Sequence, residues 1–246
     1  MENPLLAEPA RYQIYRWFWK TVDFVYPPNC TGCGKSGEIW CQTCQNSVHP
    51  IDGPLCRLCG YPSARNEVCS DCQKSPPPYS ALRSWAEFEG PLREALHNLK
   101  YHSDLAMGNV FAPFLIHIIL SCQWDFDFII PMPISKQHYS SRGFNQSVII
   151  SRPIALALNK PMVNNAVERI KETKSQVNLD RDERFKNLQS AFLGNSAKLL
   201  NKKVLLVDDI STTGATMISC SQSLKDAGCS QVYCLTVART KKTNDQ

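Results

Sequence analysis

Hydrophobic and polar positions follow two different rules along this chain. From about residue 79 onward, short apolar runs rich in β-branched residues alternate with longer amphipathic stretches. The runs predict strands near residues 81–88, 126–132, 162–169, 191–193, 204–208 and 231–238. The amphipathic stretches predict helices over 91–101, 105–120, 146–158 and 217–227, the last closed by Gly228. Pro153 should kink or restart the third of these. Strand and helix in regular alternation predict an α/β fold, a mostly parallel sheet flanked by helices on both faces, with ligands at the carboxyl ends of the strands. Near the N-terminus, residues 11–24 have a helical period, with Tyr12, Tyr15, Trp19 and Val22 or Phe18 on related faces, and Pro27-Pro28 end the helix. Such a helix either packs on the body or lies on a membrane surface. Its shortness and weak basicity favour packing.

The stretch between, residues 25–75, has neither period and few large apolar residues. Eight of the chain's 12 cysteines sit there as four Cys-x-x-Cys pairs: Cys30/Cys33, Cys41/Cys44, Cys56/Cys59 and Cys69/Cys72. Each pair sets two thiolates on one side of a tight turn, and two pairs complete a tetrahedral site, so four pairs imply two structural Zn2+ ions. Gly34 and Gly60 follow the second thiol of two knuckles, where positive φ is often needed. Pairing in chain order leaves the shortest loops, with interleaved pairing as the alternative. A redox dithiol needs a thioredoxin-like setting that is missing here, and disulfides need an oxidising compartment. Iron–sulfur ligation shares the same spacing. A segment this poor in apolar bulk gains from metal the free energy that its core lacks. Basic residues in it are few and matched by acids, so no nucleic-acid stripe stands out. Cys122, Cys220, Cys229 and Cys234 are scattered and read as small buried residues.

The chain has 246 residues and a formal net charge of +5, room for one large or two smaller domains and no strong case for a polyanionic partner. Ser75-Pro76-Pro77-Pro78 marks a boundary, giving an N-terminal helix (1–24), a double zinc ribbon (25–75) and an α/β domain (79–240). No apolar run reaches membrane-spanning length, and no signal peptide opens the chain, so a cytoplasmic location is expected.

The most specific chemistry lies in residues 202–216, KKVLLVDDISTTGAT. A buried strand ends in Asp208 and Asp209, and a loop of small residues, Ser211, Thr212, Thr213, Gly214, Ala215 and Thr216, leads into a helix. Backbone N–H groups of such a loop, with the helix N-terminus, suit a phosphate. Carboxylates beside a phosphate need hydroxyls or a divalent cation on the ligand, and a ribose 5-phosphate unit offers a phosphate for the loop and 2- and 3-hydroxyls for the acids. An Asx-capped strand-to-helix turn is the plainer reading of an acid pair alone. The string resembles the phosphoribosyl pyrophosphate (PRPP) signature of type I phosphoribosyltransferases. That likeness implies acids on the ribose hydroxyls and residues 211–216 on the 5-phosphate.

Two further segments carry cations. Residues 131–147 contain Lys136 and Arg142 in a strand-end loop suited to a second anion, pyrophosphate, or else an ordinary polar loop. Residues 168–192 contain Arg169, Lys171, Lys174, Arg181, Arg184 and Lys186, a run that elsewhere is a solvated face. Together the motifs resemble the ComF family of competence-associated phosphoribosyltransferase-like proteins, related to the gluconate-utilisation protein GntX. The family's RGFNQ stretch matches Arg142 to Gln146, and its second pattern matches Arg169, Thr173, Gln176, Leu179, Arg184, Asn187, Ala191 and Phe192. The family usually adds arginines before RGFNQ, where this chain has Gln137, His138, Tyr139 and Ser140. The resemblance implies a double zinc ribbon ahead of a type I phosphoribosyltransferase domain, PRPP bound with Mg2+, and a loop over residues 169–187 that closes on it. It also implies Lys136, Arg142, Arg169 and Arg184 as leaving-group and loop cations, and partners in DNA uptake such as a helicase, transport proteins or single-stranded DNA. Two functions remain open: phosphoribosyl transfer with pyrophosphate release, or a non-catalytic accessory protein that uses the pocket as sensor or scaffold.

Overall fold

The computed structural model describes residues 9–25, 27–64, 67–101, 106–170 and 191–241. Its centre is a four-stranded, wholly parallel sheet in the order β1-β6-β5-β2, formed by β1 (Ala81–Glu87), β2 (Phe128–Pro131), β5 (Lys203–Ser211) and β6 (Gln231–Arg239). Side chains alternate across a strand, so a parallel strand covered on both faces is apolar at every position. Residues 204–207 show this directly. Leu205 and Val207 enter the layer shared with α4 (Gly90–Tyr101), α5 (Met107–Ser121) and α7 (Gln146–Ala157). Val204 and Leu206 enter the opposite layer, with Met217, Cys220 and Leu224 of a C-terminal helix, Ala215–Asp226. Between β1 and β6, Ser84 and Thr236 share a buried hydroxyl hydrogen bond of 2.6 Å.

Three predicted elements differ in extent. The strand expected over 162–169 reduces to β3 (Val167–Arg169), antiparallel to β4 (Phe192–Gly194) in a separate two-stranded sheet, and Met162 adds only one parallel bridge to Ile129. Pro153 neither ends nor restarts α7, which runs from Gln146 to Ala157 as one helix. Burial of Ile150, Ile154 and Ala155 against α5 outweighs a local cost of about 3 kcal/mol for an interior proline. The segment 136–142, read as loop, is a short helix α6 (Lys136–Arg142), started by the Ser135 hydroxyl accepting from His138 N and stopped by Gly143 in left-handed conformation.

Helix α1 (Ala10–Val25) packs on α7 with Tyr12 buried, while Trp17 and Phe24 stay exposed. The cysteine segment forms knuckles joined to two short helices, α2 (Gln42–Asn46) and α3 (Ser70–Lys74). Cys220, Cys229 and Cys234 are buried as expected, whereas Cys122 is partly exposed. No helix among the described residues is long and apolar enough to cross a membrane.

Candidate functional site

The acid pair sits where the parallel strands point their carboxyl ends. Strand β5 extends beyond the predicted end at residue 208, because its ladder with β6 continues through Ile210↔Ala238 and Ser211↔Arg239. Asp208 and Asp209 are therefore buried, at 8% and 4% exposure. Asp208 Oδ1 accepts from Ser147 Oγ at 2.9 Å and from the Asp209 amide at 2.9 Å. Asp209 Oδ1 accepts from the Ile210 amide at 2.9 Å, and its Oδ2 pairs with Lys100 Nζ at 2.7 Å. That contact has the distance of an ion pair without hydrogen-bond alignment, so Oδ2 keeps an unfilled acceptor direction. Burial, and then the Asp209 charge, hold the Asp208 carboxyl well above the usual range. Hydroxyl donors or a cation brought by a ligand would relieve this strain.

Beyond the acids, Ser211 is buried with no partner for its hydroxyl among the described residues, and Thr212 and Thr213 are exposed. Gly214, at φ +79°, turns the chain into the helix that begins at Ala215, a conformation that L side chains rarely adopt. The Ala215 amide reaches only Thr213 Oγ1, at 3.4 Å. Ala215 and Thr216 open the helix half-buried, where first-turn N–H groups lack intrahelical acceptors. A small-residue turn with a helix N-terminus and an unpartnered buried hydroxyl has the chemistry of an anion cradle.

The 131–147 segment reaches this site through its last residue. Asn145 donates from Nδ2 to Met132 O at 2.9 Å and accepts from the Ser147 amide at 2.9 Å. Ser147, so held at the start of α7, meets Asp208. Arg142 Nη1 donates to Gln146 Oε1 at 3.2 Å, and Lys136 stands exposed on α6. Arg169 ends β3 with its guanidinium 5.8 Å from the Phe192 ring centroid. Residues 171–187 of the expected closing loop, Arg184 among them, lie outside the described residues. Lys100 and Ser147 were not singled out in the sequence. Ser147 directly follows RGFNQ, which was a usable signal, whereas Lys100 is one basic residue in a helix's last turn and gave none.

The cysteines gather in chain order. In each of the sets Cys30/Cys33/Cys41/Cys44 and Cys56/Cys59/Cys69/Cys72, all four Sγ atoms lie within 4.8 Å of one another. Measured separations are 3.6 Å for Cys30–Cys44, 3.7 Å for Cys33–Cys41 and 3.7 Å for Cys59–Cys69. A tetrahedron with Zn–S of about 2.3 Å has edges of about 3.8 Å, whereas a disulfide needs about 2.05 Å. The geometry fits two zinc sites, each with four thiolate ligands. Burial raises the Cys30 and Cys56 thiols, but backbone N–H groups, Cys41 and Cys69 foremost, outweigh it and bring both down to about 6. Burial and neighbouring thiols push Cys44 and Cys72 upward, the conflict that a dication resolves.

Comparison with known proteins agrees with both halves. The double zinc ribbon domain model matches residues 21–73, and the phosphoribosyl transferase domain model matches residues 145–245. The DNA utilization protein YhgH of Shigella flexneri is 29% identical over 203 residues, 79% of this chain and 88% of that one. Competence protein F of Haemophilus influenzae is 27% identical over 207 residues, covering 81% and 90%. Competence protein ComFC of Bacillus subtilis is 27% identical over 201 residues, covering 79% and 81%. The chain is thus similar over about four-fifths of its length to these competence and DNA utilization proteins. Its fold is accordingly a phosphoribosyltransferase-type α/β sheet preceded by a double zinc ribbon. The acid pair, the 211–216 turn and Ser147 all fall within the matched phosphoribosyl transferase region.

Proposed function

We propose that this chain binds PRPP with Mg2+ at the carboxyl edge of its sheet. The observation that carries the reading is the join of two buried carboxylates to a turn with an unpartnered buried hydroxyl and a helix N-terminus. Asp208 and Asp209 would accept from the ribose 2- and 3-hydroxyls, with Ser147 orienting Asp208. Residues 211–216 would hold the 5-phosphate, the phosphate lying where N–H groups point and the acids do not. Lys136 and Arg142 would meet the pyrophosphate, and Arg169 and Arg184 would flank the ligand from the 169–187 stretch. Residues 25–75 would serve as a metal-held module beside a binding domain over 79–240, after the 1–24 helix.

The further step is transfer at C1. A nucleophile forms a bond to C1 as the C1–O bond breaks, and pyrophosphate leaves with the electron pair. Positive charge grows on the ribose and negative charge on the leaving group, so the carboxylates and the cations are needed at opposite ends. Mg2+ on the substrate neutralises part of the pyrophosphate charge. The names of its relatives support a role in competence or DNA utilization, and a cytoplasmic location is part of the same proposal. Calorimetry with PRPP and Mg2+, followed by pyrophosphate release in a nucleobase screen, tests the reading. Binding with release supports transfer, binding without release supports a sensor or scaffold role, and no binding removes the proposal.

A further inference from the structure

The two ribbons repeat one turn with one difference. In the first, Cys30 N donates to Lys35 O at 2.7 Å and Gly34 N to Cys30 O at 2.7 Å. In the second, Cys56 N donates to Tyr61 O at 2.7 Å and Gly60 N to Cys56 O at 3.0 Å. Lys35 and Tyr61 thus hold equivalent places. Lys35 points to solvent, whereas Tyr61 lies against the body. The Arg239 guanidinium sits 3.6 Å from the Tyr61 ring centroid, and the Tyr61 hydroxyl lies 3.4 Å from Thr212 O and 3.3 Å from Thr240 O. One hydroxyl proton serves these two long contacts, so the ring stacking carries more of the attachment.

Arg239 itself is buried, ends β6 opposite Ser211, and donates from Nη1 to Cys59 O at 2.7 Å. Gly60, at φ +68°, lets the knuckle approach β1 so closely that a Cβ would stand 2.3 Å from Leu82 O. Leu82 N donates to Leu58 O at 2.7 Å from the other side. Residues 58–61, built around the thiol Cys59, are clamped between β1 and the 211–214 turn.

We propose that Tyr61 is a positioning residue that couples the second metal centre to the phosphate turn. Metal in the Cys56/Cys59/Cys69/Cys72 site fixes the knuckle, the knuckle fixes Tyr61 on Arg239, and the pair holds the turn at Ser211–Thr212 in its ligand-ready shape. The proposal rests on the reading of residues 211–216 as the phosphate turn. Because coupling between sites is reciprocal, ligand at the turn also stabilises metal in this ribbon and not through Lys35 in the other.

The test is hydrogen exchange at the amides of residues 211–216 in the zinc-loaded full chain without ligand, together with zinc content. Tyr61→Leu, which loses stacking and hydroxyl, should speed exchange there about tenfold, and Tyr61→Phe, which keeps the ring, about twofold. Lys35→Ala, at the equivalent place in the first ribbon, changes a side chain that faces solvent and should leave the turn's exchange unchanged. PRPP with Mg2+ should bind Tyr61→Leu about tenfold more weakly than the original chain. If the original chain does not bind PRPP, the phosphate reading fails, while the exchange arm still judges the coupling. Should Tyr61→Leu lose zinc, Tyr61→Phe decides. Unchanged exchange in the variant that retains zinc overturns the proposal, and so does an equal acceleration by Lys35→Ala.

Discussion

The sheet domain and the ribbons reach order by opposite means. On the two faces of the sheet, buried aliphatic and aromatic side chains such as Leu96, Phe111, Ile130 and Leu206 fill two continuous apolar layers. The ribbons' clusters consist of cysteines with only Trp40 in one, and Leu58, Tyr61 and Val68 in the other. Apolar burial therefore orders the first region on its own, whereas in the second, ligand geometry must substitute for a core. The proposed site lies at the edge between them, where Tyr61 and Arg239 meet the turn after the acid pair.

The strongest way to break this contrast is to remove the metal. Chelation should release about two zincs per chain and, since structural zinc contributes on the order of 10 kcal/mol, abolish amide protection over residues 29–74. Protection in β5 and β6 should survive, as read by hydrogen exchange. Loss of protection in both regions at once would deny the sheet its independence. The converse change is Leu205→Ala, at a fully buried residue of the inner strand β5. It should cost about 3 kcal/mol in denaturant unfolding of the sheet and leave the metal content unchanged.

A smaller effect comes from the site itself. The folded-state pKa of Asp208 lies above its unfolded value, through burial and then the Asp209 charge. The folded state binds the proton more tightly, so the carboxyl opposes folding increasingly as pH rises through the ordinary carboxylate range, near 4, toward the raised value. Asp208→Asn keeps an oxygen for Ser147 and removes this penalty. It should raise stability at pH 7 by about 1 kcal/mol, flatten the acid-side pH profile, and weaken PRPP binding. A melting point of Asp208→Asn that falls at neutral pH, with an acid-side profile no flatter than that of the original chain, would contradict the assigned sign.

The two regions also differ in how far sequence exposed them. Residues 204–207, apolar at every position, announced a strand buried on both faces, and the acids and small residues after them pointed to the proposed site. The cysteine spacing announced both metal sets, with only their pairing left open. What escaped was tertiary. The strand runs on to Ser211 because Arg239 of β6 pairs there, and nothing local to Ile210 or Ser211 says so. Helix α6 has no buried residue and hence no apolar period, since it is defined by Ser135 at its start and Gly143 at its end. Lys100 meets Asp209 across more than a hundred residues of chain, and Tyr61 meets Thr212 across a comparable span. Such contacts depend on how elements dock, which periodicity does not encode.

The most direct measurement is calorimetric titration of the zinc-loaded chain with PRPP and Mg2+, beside the same titration of Asp208→Asn/Asp209→Asn. Saturable binding by the original chain, lost in the double variant while both proteins hold about two zincs and stay folded, is the expected result. Equal binding by both proteins, or none by the original, would contradict the assignment of the acid pair to the ribose.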